Sequence, residues 1–149
     1  RYAALGQSEG AELIIGGTRL DMPHDGYYMQ PGIFVGSTND MAINREEMFA
    51  PLAAVIKVDS YDEALHVVND TNFGLTSGIV TRSLARATHF RRNARTGCVM
   101  VNLPTAGTDY HVPFGGRGDS SYGTREQGSY AAEFYTTVKT AYISSGTPE

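Results

Sequence analysis

The sequence predicts an α/β fold built on a parallel sheet, and three observations carry the prediction. Strand-like and helix-like patterns alternate between Leu52 and Asn102 with short connections, which implies parallel strands joined by right-handed crossovers. Residues 52–58 (Leu-Ala-Ala-Val-Ile-Lys-Val) form a nearly continuous apolar run, as expected of a strand buried on both faces. The chain has 149 residues, 41% hydrophobic and 19% charged, which suits one globular domain with a real core.

The elements follow in order. Residues 2–10 read as a helix end. Residues 12–16 are a short apolar strand closed by Gly16-Gly17. Residues 26–36 are extended and aromatic, and Pro31-Gly32 predicts a bulge or an edge strand there. After the apolar run, Ser60-Tyr61-Asp62-Glu63 is a capping box ahead of an apolar helical face of Ala64, Leu65, Val67 and Val68. Residues 78–81 are a short strand, Ser83 caps a second helix, and Gly97 stops it. Residues 98–102 are the next strand. A long segment leaves the carboxyl end of that strand, where functional loops of such sheets lie. A helix is expected from about Arg125 to Glu133. The tail, residues 135–143, is β-branched and alternating, so it reads as a strand that needs a partner. The predicted division is a main domain, residues 1–134, and a terminal strand and tail, residues 135–149.

Composition excludes several classes. A net charge of -4 gives no global attraction for nucleic acid, and no apolar run is long enough to span a bilayer. The start lacks the layout of a signal peptide. It also lacks an initiating Met, which fits a fragment or a processed chain. One cysteine, Cys98, permits no internal disulfide and suits a reducing cytoplasm. It sits in an apolar strand and reads as core. His24, His66, His89 and His111 show no metal-ligand spacing, so no metal site is expected. The arginines at 82, 86, 91, 92 and 95 read as a solvated face.

Two short segments combine charge, an aromatic ring and backbone-bending residues. The first is Glu46-Glu47-Met48-Phe49-Ala50-Pro51. A carboxylate there can accept both hydroxyls of a ribose, and a ring two residues on can pack against a flat heterocycle. The second is Pro113-Phe114-Gly115-Gly116, followed by Gly123-Thr124-Arg125-Glu126-Gln127-Gly128. Paired glycines permit a tight, unusual backbone, and Pro113 fixes the approach to Phe114. No Gly-Lys-Ser/Thr follows, so the turn is not a P-loop. Read alone, the first string is also compatible with a solvated turn and the second with a plain turn.

In this order, with strands and helices between them, these segments resemble the C-terminal part of an NAD(P)-dependent aldehyde dehydrogenase, from about Tyr2 to Ile143. The resemblance implies a parallel-sheet portion of the catalytic domain with a terminal oligomerisation strand, and hence a homo-oligomer. It implies NAD or NADP as cofactor, with Glu47 on the nicotinamide ribose and Phe49 near the nicotinamide ring. Ala50 stands where the family mostly has Gly, a change that matters only if φ is positive there. Phe114 would line the aldehyde channel. Glu126 falls at the position of a buried carboxylate sometimes assigned a proton relay, and a structural ion pair with Arg125 is the rival reading. Asn102 would shape its loop rather than touch substrate. Thr105, Thr108, Asp109 and His111 make the pocket loop polar, which favours a polar or acidic aldehyde. The string from Leu103 to Gly116, with Ser121-Tyr122-Gly123, looks most like the branch that oxidises 2-oxoglutarate semialdehyde. The family works through a cysteine thiohemiacetal and thioester, and its nucleophile is expected in an earlier segment, so the isolated chain is expected to be inactive. The alternative is a non-catalytic interaction module derived from the same enzyme. A hydrolase on a similar sheet would need a Gly-x-Ser-x-Gly elbow, which the sequence lacks.

Overall fold

The computed structural model describes residues 1–146, and the chain divides into two compact units. The first comprises Arg1–Asn72 with Arg92–Ala94, and the second Phe73–Arg91 with the chain from Arg95 onward.

The first unit opens with α1 (Tyr2–Ser8) and a three-stranded sheet of β1 (Glu12–Ile15), β2 (Gly32–Val35) and β3 (Leu52–Ala54), in the order β1-β2-β3. β1 and β2 are antiparallel, and β2 and β3 are parallel. β2 is therefore the central strand, and the bulge falls on β1 between Leu13 and Ile15. Both differ from the sequence expectation of a bulged or edge strand around Pro31. Pro31 precedes the first residue of β2, where its missing N–H removes no ladder bond. Phe34 is fully buried at the centre, with Ala11 and Ile43 beside it and Leu5, Leu13 and Met48 packed around them. Ile43 lies on the single turn α2 (Ala42–Arg45).

The expected two-faced strand is shorter and less buried than its apolar run suggested. β3 ends at Ala54, Ala53 is exposed, and Val55 is 50% exposed. Among the described residues only β2 pairs with it, so its outer edge meets no other strand there. The capping box forms as read: the Ser60 hydroxyl accepts from the Glu63 amide at 3.1 Å, and the Glu63 carboxylate accepts from the Asp59 amide at 2.8 Å. α3 (Tyr61–Asn69) follows.

In the second unit β4 (Thr76–Ile79) and β5 (Cys98–Val101) form a parallel pair linked through α4 (Leu84–Asn93). This is the one strand-helix-strand crossover of the predicted series that closes within a sheet. The step from β3 through α3 to β4 instead joins strands of separate sheets. The Ser83 hydroxyl accepts from the Arg86 amide at 3.3 Å, as expected of a cap. Ser77 and Thr96, both buried, pair their hydroxyls at 2.7 Å, which satisfies polar groups that would otherwise be costly inside.

The C-terminal elements depart further from the sequence reading. Arg125 and Glu126 are not helical. Two short helices follow instead, a 3-10 turn at Gly128–Tyr130 and α5 at Ala131–Tyr135. Residues 136–146 form neither helix nor strand and are exposed. The tail has strand composition but no strand beside it within the described residues, and a β ladder cannot form on one side alone. The last three residues of the predicted tail segment, 147–149, lie outside the described part. No described helix is long and apolar enough to cross a membrane.

Candidate functional site

The candidate residues fall on two loops, one in each unit. Glu47 and Phe49 lie on the loop from α2 to β3 in the first unit. Thr108, Phe114 and Glu126 lie beyond β5 in the second.

The α2–β3 loop is pinned at both ends and, between them, at Met48. At its start the Arg45 guanidinium donates to the Asp70 carboxylate and the Asp70 carbonyl, each at 2.6 Å. The Tyr2 hydroxyl donates to the Glu46 carboxylate at 2.7 Å, and that bond raises the phenol's pKa above its ordinary 10.0. At its end the Pro51 carbonyl accepts from Gly32 N–H at 2.9 Å, and the Ala50 carbonyl accepts from Leu52 N–H at 2.7 Å, a tight turn about Pro51. Met48 points into the core around Phe34. Glu47 and Phe49 flank Met48 and face solvent. The Glu47 carboxylate has no hydrogen-bond or ion-pair partner among the described residues, and Phe49 is 94% exposed. Phe49 has φ 51, a left-handed conformation that costs a bulky residue about 1–2 kcal/mol. Ala50 is not in that region, so the methyl it carries in place of the family's usual Gly meets no backbone penalty.

In the second unit, Asn102 ends β5 with φ 55, and its side-chain amide pairs with the backbone of Thr81. The oxygen accepts from Thr81 N–H at 2.8 Å, and the nitrogen donates to the Thr81 carbonyl at 3.0 Å. Asn102 thus ties the end of β5 to Thr81, two residues past β4. Thr108 is half-buried in a loop whose neighbours Asp109, Tyr110 and His111 are exposed. Phe114 is half-buried and exchanges two backbone hydrogen bonds with Glu126, at 2.7 and 2.8 Å.

This pairing corrects two expectations. Glu126 lies in an extended bridge and is exposed, not buried. Arg125 forms no ion pair with it, and its guanidinium donates instead to the Gly116 carbonyl at 2.8 Å. The Gly115-Gly116 pair also serves a purpose other than the unusual backbone expected of it, since neither residue has positive φ. A Cβ on Gly115 would lie 2.7 Å from Arg125 Nη1, and one on Gly97 would lie 1.8 Å from the Gly115 carbonyl. These glycines let the turn press against the start of β5 and the arginine. Cys98 is half-buried there, its Sγ 3.8 Å from the Gly115 carbonyl, which supports the reading of it as part of the packing.

Sequence reasoning missed Asp70, Asn39 and Gln127. Asn39 donates to the Asp70 carboxylate at 2.8 Å and to its carbonyl at 3.1 Å. The Arg45 bond, chiefly, holds the Asp70 carboxyl below its ordinary 3.8. Asp70 stands 25 residues from Arg45, and no local pattern links them. Gln127 has φ 65 and ψ 168, backbone that otherwise belongs to glycine, and its side-chain oxygen is buried without a partner.

The chain is thus an α/β fold whose candidate side chains stand on two loops, one in each unit. The sequence is more specific: the chain belongs to the aldehyde dehydrogenase family, whose pattern matches residues 1–141. Among curated relatives it is 43% identical over 144 residues to the alpha-ketoglutaric semialdehyde dehydrogenase of Bacillus subtilis (strain 168), covering 95% of this chain and 30% of that protein. It is 39% identical to the 2,5-dioxopentanoate dehydrogenase of Saccharolobus solfataricus, covering 95% and 29%. Its fold matches a mutant P. syringae indole-3-acetaldehyde dehydrogenase in complex with NAD+ and IAA at a TM-score of 0.87 and 37% identity, over 95% of this chain and 28% of that one. The chain therefore spans about three tenths of the length of these relatives.

Proposed function

We propose that this chain is the C-terminal portion of an NAD(P)-dependent aldehyde dehydrogenase acting on an acidic semialdehyde of the 2-oxoglutarate semialdehyde type. The motif order supports the C-terminal assignment: Glu46 to Pro51 precedes Pro113 to Gly116, and the strand-like tail comes last. The substrate class is supported by the polar loop 105–111 and by the activities for which the two curated relatives are named.

One observation carries the functional reading. On a loop fixed at both ends, the two side chains suited to a nicotinamide riboside are the two left unengaged. A free carboxylate at Glu47 can accept both ribose hydroxyls, and an exposed ring at Phe49 can pack against a flat heterocycle. These residues fit the cofactor and would hold it. When bound, NAD(P) would accept the hydride released as the aldehyde is oxidised. Phe114 and Thr108 would shape the aldehyde pocket. Glu126, exposed in this chain, could serve as a proton relay only where the rest of the enzyme covers it, because burial or a neighbour must tune such a group. The attacking thiolate would come from outside this sequence, since Cys98 lies in packed surroundings.

The isolated chain is expected to show no aldehyde-dependent reduction of NAD or NADP. The full-length protein containing it is expected to oxidise 2-oxoglutarate semialdehyde. In that protein Glu47→Gln should weaken the ribose contact and lower kcat/KM for the cofactor about tenfold or more, the loss of roughly one charge-assisted hydrogen bond. Steady-state kinetics at varied cofactor checks this, and an unchanged constant would remove Glu47 from the cofactor site. The exposed tail, with Val138 at 97%, Tyr142 at 97% and Ile143 at 91%, favours strand pairing with a second subunit in the full-length enzyme.

A further inference from the structure

We propose that Arg45, held by its fork on Asp70, is a positioning residue for the Glu47 and Phe49 clamp; the proposal rests on the reading of those two residues given above. Asp70 is the C-cap of α3, where the helix leaves backbone carbonyls without intrahelical partners. Arg45 is the last residue of α2, two positions before Glu47. Its guanidinium forks across Asp70, one nitrogen on the carbonyl and the other on the carboxylate, both at 2.6 Å. Asn39 grips the same two acceptor groups of Asp70, at 3.1 and 2.8 Å. Asp70 thus gathers two donors from the segment around α2 onto one point at the end of α3. A forked contact fixes direction as well as distance, which a single ammonium contact does not.

The consequence falls on the clamp. Between Arg45 and Pro51 the loop has further attachments: the Glu46 carboxylate accepts from Tyr2 and from Arg1, the Glu46 N–H donates to the Ala42 carbonyl, Met48 lies in the core, and the Pro51 carbonyl accepts from Gly32. The Tyr2 and Arg1 bonds, at 2.7 and 3.4 Å, both end on one exposed carboxylate oxygen of Glu46. Of these, only the fork joins one side chain of the segment to two acceptor groups, and it sets the direction in which the chain leaves α2 toward Glu47. A surface ion pair serving stability alone contributes little and would leave cofactor kinetics unchanged. A positioning role moves the kinetics, because misplacing a contact by about 1 Å can cost up to about a hundredfold in rate.

The test uses Arg45→Ala and the milder Arg45→Lys in the full-length protein, with circular dichroism and thermal melting to confirm folding. Arg45→Ala is expected to lower kcat/KM for NAD(P) about tenfold, and Arg45→Lys less. On a background that already lacks the clamp side chains (Glu47→Gln with Phe49→Ala), Arg45→Ala is expected to add less than about twofold, because a positioning residue acts only through what it positions. Losses that multiply on that background, or kinetics unchanged by Arg45→Ala, would overturn the proposal. Amide hydrogen exchange across residues 46–50 supplies an arm independent of turnover. Faster exchange in Arg45→Ala is expected, and unchanged exchange would show that the fork does not hold the loop. Failure of the unmodified full-length protein to turn over any aldehyde would overturn the functional reading, and with it the clamp that the fork is proposed to serve, while the exchange arm would still report whether the fork anchors the loop.

Discussion

At the scale of single residues, Gln127 shows most clearly what the letters concealed. Its backbone, φ 65 and ψ 168, lies in a region that costs a residue with a Cβ about 1–3 kcal/mol. Its buried side-chain oxygen has no partner, a second cost. Gln127→Gly removes both and gives back about 0.5–1 kcal/mol through the looser unfolded chain. The variant is expected to be more stable by roughly 1 kcal/mol, read as a rise in the urea midpoint, and a lower midpoint would show that the amide packs usefully. Nothing in Glu-Gln-Gly announces this, because the strain comes from Glu126 pairing with Phe114 across the chain. Glu47 and Phe49 could be singled out as candidates because their context is sequential: a charge and a ring, spaced by one core residue, ahead of a proline. Ala50 was legible too, since its conformational cost could be stated in advance and then read from its φ.

At the scale of elements, caps were legible and pairings were not. The Ser60 to Glu63 box is local, and it formed with both bonds. α3 has nine residues and none of them is buried, so it leans on its cap more than a packed helix would. Ser60→Ala should cost about 1 kcal/mol of stability, measured by chemical denaturation; a change below the error of the fit would mean that the helix end frays at no cost. The other end of α3 carries the Asp70 network, and its pH dependence has a definite sign. The folded carboxyl sits below its unfolded 3.8, so its stabilisation is complete above 3.8 and is lost as pH falls through the lower folded value. Asp70→Asn should therefore destabilise the protein at neutral pH and flatten the acid limb below about pH 5. Asp40, also lowered, here chiefly by the Thr38 hydroxyl, keeps its own share of that limb in the variant. Denaturation midpoints of the two proteins across pH 2–7 should converge at the acid end, and parallel curves would sink the assignment. The β3 to β4 crossover was misread because apolar runs and short links specify strands but not which strands pair. The helix expected from Arg125 was misread because Glu126 found a backbone partner 12 residues earlier, and long-range pairing overrides local propensity.

At the scale of the whole chain, the apolar pattern and the burial disagree, and the disagreement carries information. Among the described residues only Ala11, Phe34, Ile43, Phe90 and Ala94 are buried hydrophobics, and Phe34 is the one large side chain wholly enclosed. Val55, Val80, Leu84, Leu103, Tyr142 and Ile143 are half or more exposed. The sequence reads as a chain with a full core because its strands are apolar enough for a sheet covered on both faces, yet the chain itself supplies only part of that cover. The chain spans about three tenths of its relatives' length, and on the proposal made above the missing cover would come from the rest of a longer enzyme. Burying one such side chain contributes about 1.5–3 kcal/mol, so several of them together are comparable with the whole stability of a typical domain, about 5–15 kcal/mol. The chain alone is therefore expected to unfold at low urea, to bind a hydrophobic dye such as ANS, and to associate as its concentration rises. The full-length protein should bind little dye and melt far higher. Sedimentation, dye fluorescence and urea titration of the two proteins side by side measure this. A chain that stays monomeric, binds no dye and unfolds cooperatively at a high midpoint would show that the exposed strands need no cover, and the reading of this sequence as one part of a larger enzyme would lose its physical support.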